Sequence, residues 1–164
     1  MNKTIILLLF FISIIGKAQD LKIIRAQYPE AVKSSEAASK LEAELSTIDN
    51  SSKPVLLAYK GAVLTLKAKF AKKKSDKKDF FKEGVALIES AVSADASNVE
   101  IRYIRLRVQE NSPKFLGYHK NIEEDKEFIL KNYGSISSAE LKETIKDFVM
   151  KSENFEQQEK IQFN

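Results

Sequence analysis

His119 is the single histidine of the chain, and Glu123 follows it by one helical turn, with Glu124, Asp125 and Glu127 close behind. Carboxylates and an imidazole in one short stretch suggest a metal. A catalytic zinc normally takes three protein ligands, often two or more of them histidines, and neither a second His nor any Cys is available. The alternating Asp/Asn/Gly loop of a calcium site is also missing. The favoured reading is a solvated acidic turn with no metal and no cofactor.

Arg102, Arg105 and Arg107 fall within six residues, and Arg102, Arg105 and Gln109 share one face if the stretch is helical. Planar guanidinium forks suit carboxylates or phosphates. Two readings follow. One is an ion-pair network that joins this helix to the next through the Glu123-Glu124-Asp125 stretch, with Glu123 and Glu124 as its expected members; the other is a pocket for an anionic ligand. The network is preferred, since a buried Arg105 must find a carboxylate, an unpaired buried charge costing several kcal/mol.

Eight lysines crowd Lys67 to Lys82, including Lys72, Lys73, Lys74, Lys77 and Lys78, and only Asp76 and Asp79 offset them. Such a run reads as a solvated loop between helices, or as a docking patch for anionic lipid or a partner. No aromatic stands within 72–78 as a platform for stacked bases, so no nucleic acid is expected. The chain also lacks a glycine-rich phosphate loop, a dinucleotide fingerprint and a serine elbow. No enzyme is expected. A weak activity built on Arg102, Arg105 and Glu124 is the least favoured option.

The elements that must position these groups are helical. Leu56, Tyr59, Val63, Leu66 and Phe70 step by three and four, and Ala58, Gly61, Ala62, Thr65 and Ala68 form a second stripe of small residues. That pattern predicts a helix with close neighbours on two sides, opened by Pro54 in its first turn. Phe81, Gly84, Ile88 and Ala91 continue the stepping over about Asp79 to Ala94. Ser97 and Glu100 have capping-box spacing and open a helix to Glu110. Ile104 to Val108 alternates like a strand, but helix is preferred because no nearby segment could pair with it. Further helices are expected from Asn121 to Lys131, with Ile122 and Ile129 inward, and from a Ser137–Glu140 capping box through Phe155. Leu21 to Ile48 should divide into two helices at Pro29 and Ser34–Ser35. With only 5 Gly and 3 Pro, an all-α chain of six or seven antiparallel helices is the expected fold.

The N-terminus reads as a leader: Lys3, an apolar run Ile5 to Ile15, then Gly16-Lys17-Ala18 with small residues before a cut after Ala18. That run is shorter than the ~20 residues of a spanning helix, so cleavage is preferred over an uncleaved anchor. Residues 1–18 are then a signal peptide and 19–164 a single helical domain, secreted or periplasmic, with no transmembrane anchor after processing. Losing Lys3 and Lys17 takes two charges off the formal +4, which further weakens any case for nucleic acid. The Ala-Gln junction resembles that of secreted precursors of some Gram-negative bacteria.

Gly84, Ile88, Ala91, Asp95, Ala96 and Asn98 are spaced as in the second helix and exit of a tetratricopeptide repeat, which this segment resembles, and Leu57, Gly61 and Leu64 are similar to positions of its first helix. Lys60 and Ala96 depart from that pattern, and Gly61 and Gly84 are 23 residues apart where the repeat has 12. The resemblance implies stacked helical hairpins; an unrelated irregular helical bundle is the alternative. Val99 to Phe128 also resembles short secreted bacterial helical proteins without an assigned activity. The expected function is a protein–protein interaction module holding a protein or peptide between stacked helices. The alternative is a carrier with an apolar or amphipathic ligand between its helices.

Overall fold

A computed structural model describes residues 21–164; the expected leader and its cut after Ala18 lie outside the described residues. Eight α-helices follow in order: α1 (Leu21–Lys33), α2 (Ser35–Glu44), α3 (Pro54–Phe70), α4 (Lys74–Ala94), α5 (Val99–Asn111), α6 (Ile122–Asn132), α7 (Ala139–Lys151) and α8 (Gln157–Lys160). There is no strand among the described residues. Short 3-10 turns at Lys114–Leu116, Tyr133–Ser135 and Ile161–Phe163 complete the path. The all-α expectation holds; the helix beyond the expected seven is the four-residue α8, too short for any periodicity to reveal.

Several boundaries differ from expectation, each for a local reason. Pro29 lies inside α1 and does not divide it. The break comes at Ser34, whose hydroxyl accepts from the Ala37 N–H and caps α2. The cap of α5 is Asn98, accepting from the Glu100 and Ile101 N–H groups, while Ser97 turns to Asp95. The cap of α7 is Ser138, one residue later than expected. α4 begins at Lys74, five residues before the expected start, so Lys74, Lys77 and Lys78 stand on a helix and only Lys72 and Lys73 remain in the connection.

α3 and α4 form the tightest pair. Their antiparallel backbones meet at Gly61 and Gly84: a Cβ on either glycine would stand 2.5 Å from the other's carbonyl oxygen. The stripe of small residues on α3 is therefore the seat of α4, with Ile88 lying against Gly61 and Thr65 against Gly84.

α5 is the hub. Ile101, Tyr103, Ile104, Leu106 and Val108 are all buried, and so are Glu100, Arg102, Arg105 and Gln109 on the same helix. It meets α1 through Arg25–Glu100, α3 through Tyr59–Glu100, α4 through Glu89–Arg105, α6 through Asp125 and α7 through the Tyr103–Phe148 ring contact. A helix enclosed on every side carries no amphipathic stripe, which is why its sequence alternates without forming a strand. A chain of ring contacts from Tyr103 through Phe148 and Phe155 to Phe163 ties the last residues to this core.

Replacing Gly61 with Ala should destabilise the fold by about 2 kcal/mol, because the backbone in its way cannot rotate aside as a side chain could. Gly84→Ala should cost a similar amount, and the double variant less than the two singles combined, once the helices have separated. Chemical denaturation of the four proteins measures this.

Candidate functional site

Three groups of residues were singled out by sequence, and the structure treats each differently. The arginine group becomes a buried ion cluster centred on Asp125, a residue with 0% exposure. Arg105, itself 3% exposed, grips that carboxylate with two prongs, Nε to Oδ2 and Nη2 to Oδ1, both at 2.7 Å. Arg102 Nη1 donates to Asp125 Oδ1 at 3.0 Å and to Glu124 Oε1 at 2.5 Å, while its Nε donates to the Ala96 carbonyl at 3.0 Å. Its guanidinium also lies over the Phe128 ring. Glu89 of α4 closes the cluster, accepting from Arg105 Nη1 at 3.1 Å and from the Tyr118 hydroxyl at 2.6 Å.

The expected network between consecutive helices is present, with one member corrected. Glu124 belongs to it, but Glu123 does not: it points outward and pairs with Lys126, which also reaches Glu159. The central acid is Asp125, and Glu89 and Tyr118 were not foreseen. Asp125 shares the inward face of α6 with Ile122 and Ile129, by steps of three and four, so the sequence did carry that signal. The acidic turn is thus not simply solvated, since its central carboxylate is sealed from water.

Charge balance explains why the cluster tolerates burial. Burial pushes the Asp125 carboxyl up, against the downward pull of Arg105 and then Arg102. Burial pulls on Arg105 in the opposite sense, yet the hydrogen bonds and charge of Asp125, with Glu89 behind them, keep its guanidinium above the ordinary value. The half-exposed Glu124 is held below the usual carboxylate range by hydrogen bonds from Arg102 and Asn121. Each guanidinium meets at least two carboxylates, with Arg102 Nε on the Ala96 carbonyl, so the cluster is built to hold α4, α5 and α6 in register.

A second buried pair holds another face of α5, in its first turn. Arg25 clasps Glu100 with Nε at 2.6 Å and Nη2 at 2.5 Å, and the Tyr59 hydroxyl donates to the same carboxylate at 2.9 Å. Glu100 is therefore an acceptor across 75 residues of chain, not half of a capping box. Burial, with the Glu100 charge beside it, pushes the Tyr59 hydroxyl well up, so it stays a proton donor.

His119 does not meet Glu123. Its Nε2 sits 2.9 Å from the Ser112 carbonyl in the connection between α5 and α6. No group of three or more His, Asp or Glu side chains is placed to hold a metal among the described residues. The lysines Lys72, Lys73, Lys74, Lys77 and Lys78 are all exposed and form a basic end to the α3–α4 hairpin.

Two surface depressions complete the inventory of candidate binding sites. One, of about 310 Å³, is bordered by Arg25, Glu100, Ile136 and Ser138. The other, of about 380 Å³, runs between the parallel helices α5 and α7. Tyr103, Arg107 and Glu110 of α5 and Asp147, Phe148 and Lys151 of α7 line it, Tyr103 almost wholly buried. Arg107 is anchored there by the Tyr103 hydroxyl at 2.7 Å and by the Tyr28 ring beneath it. Both depressions open to solvent. Compared with known protein families, curated proteins and solved structures, the chain matches none.

Asp125→Asn should destabilise the protein by about 3 kcal/mol, since two buried guanidiniums lose their counter-charge. Glu123→Gln should change stability by less than about 0.5 kcal/mol, since Glu123 is itself exposed and Lys126 keeps Glu159 as a partner. Denaturant titration of both variants separates the two roles. The depressed Glu124 carboxyl sets the sign of a pH effect. The folded chain binds that proton less tightly than the unfolded chain, so the stabilisation is complete above the unfolded value of about 4.3 and fades as pH falls further. Glu124→Gln should flatten the loss of unfolding free energy between about pH 5 and pH 3.

Proposed function

We propose that this chain is an exported helical interaction module that binds an extended or helical segment of a partner protein in the groove between α5 and α7. The observation that carries this reading is the composition of that groove. It offers the partly exposed ring of Phe148, a guanidinium on Arg107 anchored by the buried Tyr103 hydroxyl and the Tyr28 ring, and opposite charges on Asp147 and Lys151. An aromatic ring beside an anchored arginine and charged neighbours is the usual make-up of a protein-recognition patch. The buried charges elsewhere are engaged in holding helices together and leave little for chemistry on a substrate.

Export rests on the leader-like residues 1–18, with processing after Ala18 and a secreted or periplasmic destination. No helix among the described residues is long and apolar enough to cross a membrane. The antiparallel α3–α4 hairpin, with small residues at its crossing, supports a tetratricopeptide-like arrangement over an unrelated bundle. The alternative carrier role, an apolar or amphipathic ligand held between the helices, finds less support, because both depressions described are open and bordered by charged side chains.

A photoreactive side chain placed at Asn111, on the edge of the groove, should cross-link a defined partner in an extract of the native envelope. The purified partner should then bind the wild-type chain, and Asp147→Lys should weaken that binding at least about tenfold with no loss of thermal stability, as a rim charge does when reversed. Unchanged affinity of the purified partner for the Asp147→Lys protein would refute the groove as its site. Lipid copurifying with the chain in native mass spectrometry would favour the carrier instead.

A further inference from the structure

Phe115 is the most exposed large apolar side chain of the described residues, at 85%, and its neighbour Leu116 is 37% exposed. Neither is loose by default. Pro113 precedes the 3-10 turn that carries them, and Gly117 ends it in the left-handed conformation at φ 68°, which favours glycine. The next residue, Tyr118, is buried, bonded to Glu89 and in edge contact with the Phe81 ring at 6.1 Å. The turn is thus fastened at its base, and its two apolar side chains are held outward.

Its neighbourhood is basic. Phe81 belongs to α4, and Lys74, Lys77 and Lys78 occupy the two turns of that helix before it, with Lys72 and Lys73 just ahead. The Phe81–Tyr118 contact therefore sets the Phe115 turn against the same end of the bundle as the lysine cluster. Lys114 and Lys120, both exposed, flank the turn itself. Asp76, Asp79 and Glu83 are the acidic residues in this part of α4, and they leave a clear cationic excess.

From this juxtaposition we propose that the end of the molecule formed by the Phe115–Leu116 turn and the Lys72–Lys78 segment docks on the surface of an anionic lipid bilayer. Phe115 and Leu116 enter the headgroup boundary while the lysines pair with lipid phosphates around them. An apolar tip at a cationic end of the molecule matches that surface on both counts: the apolar groups leave water, and the cations meet negative headgroups. A protein partner would have to supply an apolar pocket and an acidic rim in the same place. The bilayer supplies both along its whole surface, and a tip so small and convex suits a plane that yields. The groove between α5 and α7 is a separate surface, so this proposal stands or falls apart from the interaction module.

The chain contains no tryptophan, so Phe115→Trp creates a single reporter in the full-length protein. Its emission should shift to shorter wavelength when phosphatidylcholine vesicles containing phosphatidylglycerol are added, and brominated acyl chains should quench it. Adding Lys74→Glu, Lys77→Glu and Lys78→Glu should raise the vesicle concentration needed for half the shift at least about tenfold, and high salt should do likewise. Leu116→Ser in the same background should weaken the shift without altering the unfolding transition. Emission indifferent to anionic vesicles overturns the proposal. So does an equal shift with pure phosphatidylcholine or one that survives the lysine reversals, because the cations would then have no part. A shift produced by an envelope protein and not by vesicles would assign the tip to protein docking.

Discussion

A single carboxylate holds the centre of this molecule together. α5 is enclosed by five other helices, yet it carries two arginines on buried positions, and such a helix is stable only if each guanidinium finds a counter-charge in the dry interior. Asp125 provides it for both, with Glu89 and Glu124 taking the remaining prongs. The geometry of that cluster fixes how α4 and α6 sit against α5, because a sealed ion pair tolerates little change in distance or angle. On the far side of the same helix Glu100 repeats the device with its sign inverted: the acid is on the hub and the arginine comes from α1. The two pairs act as pins on different faces of one axle.

This arrangement decides which groups are engaged inside the fold and which face outward. Groups that in another fold could polarise a substrate are here saturated by one another, and the tyrosines near them are held protonated by burial and neighbouring acids. What remains at the surface is shape and charge: an aromatic groove along α5 and α7, and a basic end with an outward-facing apolar tip. The rigid interior gives both surfaces a fixed frame, which lowers the entropic cost of recognising a partner.

Much of the fold was legible in the sequence, because α3, α4, α6 and α7 each present one apolar face at helical spacing. The stripe of small residues on α3 even forecast a close neighbour. What escaped prediction was mostly partnership over distance. Arg25 and Glu100 are 75 residues apart, and a local reading assigned Glu100 to a cap because the spacing to Ser97 allowed it. Asn98 took that cap, its side-chain oxygen accepting from two N–H groups at once. Asp125 stood in the same acidic stretch as Glu123 and Glu124, and the Ile122–Asp125–Ile129 face that turns it inward was readable. The start of α4 was placed too late because Lys74, Lys77 and Lys78 disfavour a helix N-terminus, where the dipole repels cations. The helix extends through them anyway, carried by the apolar contacts of its later turns. The lysine run therefore has a fixed backbone where a pliant loop was expected.

The crossing of α3 and α4 has an effect beyond packing. With Gly61 and Gly84 in mutual contact, each main chain is the other's wall, and any side chain heavier than a hydrogen atom at either place meets carbonyl oxygen before it meets a movable group. Once one site has forced the helices apart, the second meets less resistance, so the two positions act as a single point of closest approach. Glycine is the residue that lets both main chains reach it.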